Sequence, residues 1–163
     1  MLLRLVTALA LGTATLTALA DDHAHGHQAV EGALIMTQVW SRAMPPTAPT
    51  GAVYFNVRNP GDKPDRLVGV QTSRAEKAEL HTHVHTGEMM RMERIDSVEV
   101  PAGGDVTFKP GGNHVMLFKP NTPLATGETF PLTLIFERSG EMTVDVPIQD
   151  GPPEASDNTH QHH

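Results

Sequence analysis

Between residues 33 and 148, short apolar runs alternate with turn residues. Phe130, Leu132, Leu134 and Phe136 fall on every second position, and Met142, Val144 and Val146 do the same after Glu137-Arg138-Ser139-Gly140. Successive side chains of an extended chain leave opposite faces, so each set shares one face, and the two segments predict a β-hairpin with one buried side. Ala52 to Val57 predicts another strand, ended by Asn59-Pro60-Gly61-Asp62, and Arg66 to Val70 a further one. Met36 and Met142 sit among apolar neighbours and read as core packing. Strands at this spacing, with no long helical pattern between them, predict an all-β fold, an antiparallel sandwich or barrel.

The two ends lack this pattern. Arg4, an apolar run from Leu5 to Leu19 and Ala18-Leu19-Ala20 read as an export signal over residues 1–20, cleaved after Ala20. The alternative is an uncleaved anchor, but the run is shorter than the roughly 20 apolar residues of a spanning helix. The expected mature protein is therefore exported to the periplasm, with no stable membrane insertion after cleavage. Residues 21–32 and 149–163 are polar and His-rich without a strand or helix period, and read as disordered extensions of one domain over 33–148.

Composition narrows the function. The 163 residues suit one domain with a real core, and 13 prolines with 14 glycines favour a turn-rich β protein. A formal net charge of −7 argues against nucleic acid, which requires a basic face. The chain has no cysteine, yet it has ten histidines and eight methionines. Imidazole and thioether together suit Cu(I) far better than Mg, Ca or Mn, which prefer oxygen. In an oxidising compartment methionine has a further merit, because it cannot form a disulfide.

Four such ligands stand out. His114 and Met116 are two apart in Asn113-His114-Val115-Met116-Leu117-Phe118 and share one face of an extended strand. His81 and Met92 flank Gly87-Glu88, a turn that can fold the two segments into a hairpin and bring the pair together. His83 and His85 share strand parity with His81 and are candidate accessory ligands, while Met89 and Met90 read as loop surface or core, or alternative ligands.

The spacing His81, ten residues, Met92, twenty-one residues, His114-x-Met116 resembles the metal signature of the periplasmic copper chaperone family called PCuAC. The flanking text is similar too: Asn59-Pro60-Gly61-Asp62-Lys63-Pro64-Asp65-Arg66-Leu67, Pro101-Ala102-Gly103-Gly104, Lys109-Pro110-Gly111-Gly112-Asn113 and Phe130-Pro131-Leu132-Thr133-Leu134. The resemblance covers roughly Ala33 to Ile148. It implies a cupredoxin-like β-sandwich with Cu(I) bound by His81, Met92, His114 and Met116. One departure stands at His83, where family members often carry methionine.

Three functions fit this ligand set. The first is a chaperone delivering Cu(I) to an acceptor, which the resemblance implies is the copper-site subunit of cytochrome c oxidase or a Sco-type protein. The second is a periplasmic copper buffer or resistance protein without specific delivery. The third is a copper enzyme, disfavoured because four protein ligands leave no open position and no carboxylate or tyrosine is expected beside the ligand positions. Blue-copper electron transfer requires a cysteine thiolate and is excluded, and a zinc carrier is the alternative at the level of the metal. The ends add a second expectation. Cleavage after Ala20 leaves Asp21-Asp22-His23, whose amine, two amides and imidazole suit square-planar Cu(II) or Ni(II). His25, His27, His160, His162 and His163 offer further imidazoles for Cu(II), against the alternative of a solvated, uncommitted tail.

Overall fold

A computed structural model describes residues 33–154. The expected export signal, the extension over 21–32 and the tail from residue 155, with Asp21, Asp22, His23, His25, His27, His160, His162 and His163, lie outside the described residues.

The period-two segments form the strands that their patterning predicts. In chain order these are β1 (Ile35–Arg42), β2 (Thr50–Arg58), β3 (Asp65–Gln71), β4 (Ala75–Thr86), β5 (Met89–Arg94), β6 (Val98–Val100), β7 (Asp105–Phe108), β8 (His114–Pro120), β9 (Thr129–Phe136) and β10 (Gly140–Gln149). Their lateral order is β5-β4-β8-β2-β1-β10-β9-β3-β6. The path folds over itself at β10, giving one layer of β5, β4, β8, β2 and β1 against another of β10, β9, β3 and β6. No helix among the described residues is long and apolar enough to cross a membrane.

The sandwich is not wholly antiparallel. β10 runs antiparallel to β9 from Gly140 to Pro147, and its last residues then pair in parallel with β1, Ser41 opposite Ile148 and Arg42 opposite Gln149. This happens because β9 begins at Thr129, opposite Pro147, so the end of β10 overshoots its partner and meets the other layer.

The core lies between the layers. Val53, Phe55 and Val57 of β2, Val115 and Leu117 of β8, and Leu80 of β4 face Phe130, Leu132, Leu134 and Phe136 of β9 with Val146 and Ile148 of β10. Phe55 stacks on Phe108 at 4.2 Å between ring centroids. Each such side chain contributes about 1.5–3 kcal/mol when fully buried. Met36 and Met142 pack half-buried against this core, as their apolar neighbours predict.

A buried carboxylate ties the second layer together. Asp65, at the start of β3, accepts backbone N–H groups of Arg66, Arg138 and Ser139 at 2.8, 2.9 and 3.0 Å and the Ser139 hydroxyl at 2.5 Å. It thereby pins the β9–β10 turn to β3.

Two irregularities shape the opposite, outward face of the first layer. β7 and β8 lie end to end along β2, β8 on Thr50 to Val53 and β7 on Phe55 to Arg58. The break between them is the Lys109–Asn113 turn, where Gly111 takes φ +80°, a left-handed conformation that glycine adopts without strain. In β1 the register with β2 shifts between Thr37 and Trp40, with Gln38 at φ 52°. Trp40 ends directly across from Tyr54, their rings 4.9 Å apart on that face.

Candidate metal centre

Strand parity puts all four expected ligands on the outward face of the first layer. Leu80, Val115 and Leu117 point into the core, so their neighbours His81, His114 and Met116 point away from it. The register then orders them in rows. His81 lies across from His114, Glu79 across from Met116, and Ala52 on the far side of Met116.

The hairpin at Gly87-Glu88 forms, but its register differs from the expected pairing. Met92 lies directly opposite His83, and His81 lies opposite Arg94. Met92 is thus a diagonal neighbour of His81, displaced by one row. Turn position alone does not determine that offset, because a shift of two residues preserves every side chain's face.

A cleft of about 210 Å³ opens on this face, walled by His83, Met92, His114 and Met116 together with Met44, Ala52, Tyr54 and Arg42. His81 stands just behind it, its ring 5.9 Å from that of His114 and 5.8 Å from Phe118. His83 is nearer to His114, at 5.2 Å between rings. His85 is exposed and lies outside the cleft wall, opposite Met90.

The hydrogen bonds decide which nitrogen atoms are free. Nδ1 of His114 lies 3.0 Å from the carbonyl oxygen of Gly112, which can only accept, so Nδ1 carries the proton of the neutral ring. Nε2 is then a bare lone pair, and it faces the sulfur of Met92 at 3.4 Å. Two soft donor atoms therefore confront each other without a proton between them. Burial pushes the His114 pKa below its ordinary value, against the Gly112 hydrogen bond and with help from His83 and His81, so the ring stays neutral.

His81 is held in the opposite sense. Its Nε2 lies 3.0 Å from a carboxylate oxygen of Glu79, which in the neutral ring makes Nε2–H the donor and leaves Nδ1 bare. That Nδ1 is buried and has no hydrogen-bond partner. An orphaned, buried ring nitrogen is costly unless something occupies its lone pair. A carboxylate orienting a histidine from behind is the arrangement by which proteins fix metal-binding imidazoles. The hydrogen bond from His81, followed by that from Lys77, keeps Glu79 below the usual carboxylate range.

Glu79 and Tyr54 correct the expectation that neither a carboxylate nor a tyrosine stands beside the ligands. Glu79 was detectable, because it is two residues before His81 and so shares its face. Tyr54 was not, since it comes from a distant strand through the β2–β8 pairing. Burial raises the Tyr54 pKa, with Arg42 opposing, so the phenol remains protonated and is a poor metal ligand. Among the described residues, no group of three or more His, Cys, Asp or Glu is placed to hold a metal ion.

Comparison with known proteins agrees with this fold. The family described as LpqE-like, a lipoprotein family, matches residues 34–148. An uncharacterized protein of Rickettsia prowazekii is 28% identical over 130 residues, covering 76% of this chain and 70% of the relative. The solved copper-bound PCuAC domain from PmoF2 is 29% identical with a TM-score of 0.62, over 75% of this chain and 97% of that domain. The Cu(I) form of DR1885 from Deinococcus radiodurans is 31% identical with a TM-score of 0.61, over 78% of this chain and 84% of that one.

Proposed function

The chain belongs to the LpqE-like family, the family of the PCuAC copper domains, and on that premise we propose that it is a periplasmic chaperone that carries Cu(I) on His81, Met92, His114 and Met116. The observation that carries this reading is the bare Nε2 of His114 facing the sulfur of Met92 at 3.4 Å. Two lone-pair donors at that distance are stabilised by a cation between them, and a soft pair selects a soft cation. The unpartnered Nδ1 of His81 supplies a third donor from behind, and Met116, in the next row, a fourth. His83, on the cleft wall, is an accessory ligand.

Copper is cargo here. A His/Met site without thiolate binds Cu(I) but yields it to cysteine, so transfer to a thiolate-bearing acceptor runs downhill. The acceptor is the copper-site subunit of cytochrome c oxidase, directly or through a Sco-type protein. Catalysis does not suit the site, because the protein's own donors fill the coordination positions and the neighbouring phenol stays protonated. The export signal over 1–20 and the His-rich segments over 21–32 and 149–163 complete the proposed organisation around the domain 33–148. Asp21, Asp22, His23, His25, His27, His160, His162 and His163 are proposed to collect Cu(II).

The test is anaerobic loading with Cu(I), then incubation with an apo-oxidase copper-site fragment or a Sco-type protein. Movement of copper to the acceptor is expected. Retention by this protein would favour the buffer function instead, and failure to bind Cu(I) would refute the site. Cu(II) titration of the mature chain with and without its two ends should show stoichiometry falling when they are removed; unchanged stoichiometry refutes their role.

A further inference from the structure

Five large hydrophobic side chains are exposed among the described residues, and three of them are methionines of β5: Met89, Met90 and Met92, at 71%, 57% and 43% exposure. Left in water, these side chains contribute little burial energy. What an exposed methionine retains is a flexible, polarizable thioether, which is a soft metal donor.

The register gives these sulfur atoms different surroundings. Met90 and Met92 are two apart on β5 and share the face that carries the cleft. Met92 lies opposite His83, and Met90 lies opposite His85. Directly opposed residues of an antiparallel pair have Cβ atoms about 4.5–5.5 Å apart, close enough for an imidazole and a thioether to hold one ion. Arg91, between the two methionines, leaves the opposite face and pairs there with Glu93, so this charge is turned away from the row. Met89, opposite Thr86, also falls on that other face.

We propose that His85 and Met90 form a second, outer Cu(I) site, a two-ligand station that passes the ion inward by way of His83 and Met92 to His114 and Met116. The inference rests on the Cu(I)-carrier reading above. Consecutive rows on one strand face are about 6.6 Å apart, within the reach of long, flexible methionine side chains. The step is pure ligand exchange: the bonds to His85 and Met90 break as those to His83 and Met92 form, and copper remains Cu(I) throughout. Because the pairing of β8 with β4 stops at His81, the outer row projects past that strand, and with His85 and Met90 both exposed it is open to a donor or acceptor protein.

The test uses the full mature chain with carbon-13-labelled methionine methyl groups, titrated anaerobically with Cu(I) and followed by NMR. The first equivalent is expected to move the methyl signals of Met92 and Met116 and the ring signals of His114. Further Cu(I) is expected to move those of Met90 and His85. The double variant His85→Asn with Met90→Leu should retain the first response, lose the second, and take Cu(I) from a competing chelator severalfold more slowly. If Met90 and His85 never respond while the inner ligands do, or if the variant loads at the wild-type rate, the outer station is refuted and the carrier reading survives. If Met92, Met116 and His114 fail to respond, the carrier reading itself falls.

Discussion

Replacing Glu79 with glutamine tests the site through a residue that need not touch copper. A carboxylate only accepts hydrogen bonds, so Glu79 forces the proton of His81 onto Nε2 and keeps Nδ1 bare. A carboxamide both donates and accepts, and it releases that constraint. The protein then divides between two ring tautomers, one of which blocks the proposed ligand atom with a proton. Loss of a partner behind a metal-binding histidine typically costs about 10–100-fold in affinity, or roughly 1.4–2.8 kcal/mol. The fold should hardly notice. The other partners of Glu79 are Lys77 at 3.0 Å and Arg94 at 3.9 Å, both largely exposed, and exposed ion pairs contribute at most about 1 kcal/mol. Competition with a Cu(I) chelator under anaerobic conditions measures the affinity, and thermal denaturation of the apo-protein controls for folding. Lys77→Ala is the companion variant, expected to bind as the wild type does. A Glu79→Gln protein of unchanged Cu(I) affinity would refute the tautomer argument and the place of His81 Nδ1 in the ligand set.

Further outcomes follow from the same geometry. Met116→Leu and Met92→Leu conserve volume while removing sulfur, so each should weaken Cu(I) binding in the chelator assay and shift the melting temperature little. Copper affinity should fall as pH drops through the imidazole range, since a protonated ring cannot ligate; the depressed pKa of His114 delays its own loss to a more acidic pH than an ordinary histidine would show, readable as the midpoint of affinity against pH. Asp65→Asn should destabilise the apo-protein by about 1–3 kcal/mol, measured by denaturant unfolding, because an acceptor-only group serving four donors is lost. Burial alone would raise the Asp65 pKa, but the hydrogen bonds from Ser139, Arg138 and Arg66 lower it overall. Its folded pKa is therefore below its unfolded value of about 3.9, so its contribution is complete above that pH and disappears as pH falls through the folded value. The Asp65→Asn protein should accordingly lose less stability than the wild type between neutral pH and pH values below about 4.

Much of this was readable from periodicity. The apolar alternation of β9 and β10 marked their hairpin and their buried face, and the two-residue spacing of His114 and Met116 put both on one side of β8. Register was harder. Parity places His81, His83 and His85 on the same face, but only the strand pairing shows that Met92 lies opposite His83, since slipping by two residues preserves the pattern. Glu79 was within reach of the same parity argument. Tyr54, Arg42 and Met44 were not, because they come from β2, the end of β1 and the segment just after it, and the path β4-β8-β2-β1 is not the order of the chain. The parallel join of β10 to β1 has the same origin, depending on where β9 starts rather than on any motif in either strand.

The unequal support of the proposed ligands suits the proposed carrier, which must both take and give up an ion. His114 is buried and tied to Gly112, and Met116 flanks the core residues Val115 and Leu117 on a strand held on both sides. Met92 is partly exposed and sits on β5, a strand with a single neighbour. Holding Met92 in place depends on fewer contacts, and its thioether can turn away at the cost of a side-chain rotation. On the proposed ligand set, an incoming thiolate is expected to meet copper from the Met92 side and to replace that ligand before it disturbs the two on β8. A cysteine at this position would bind more tightly but would invite disulfide formation outside the cytosol and hold Cu(I) against its acceptor. Methionine on an edge strand avoids both.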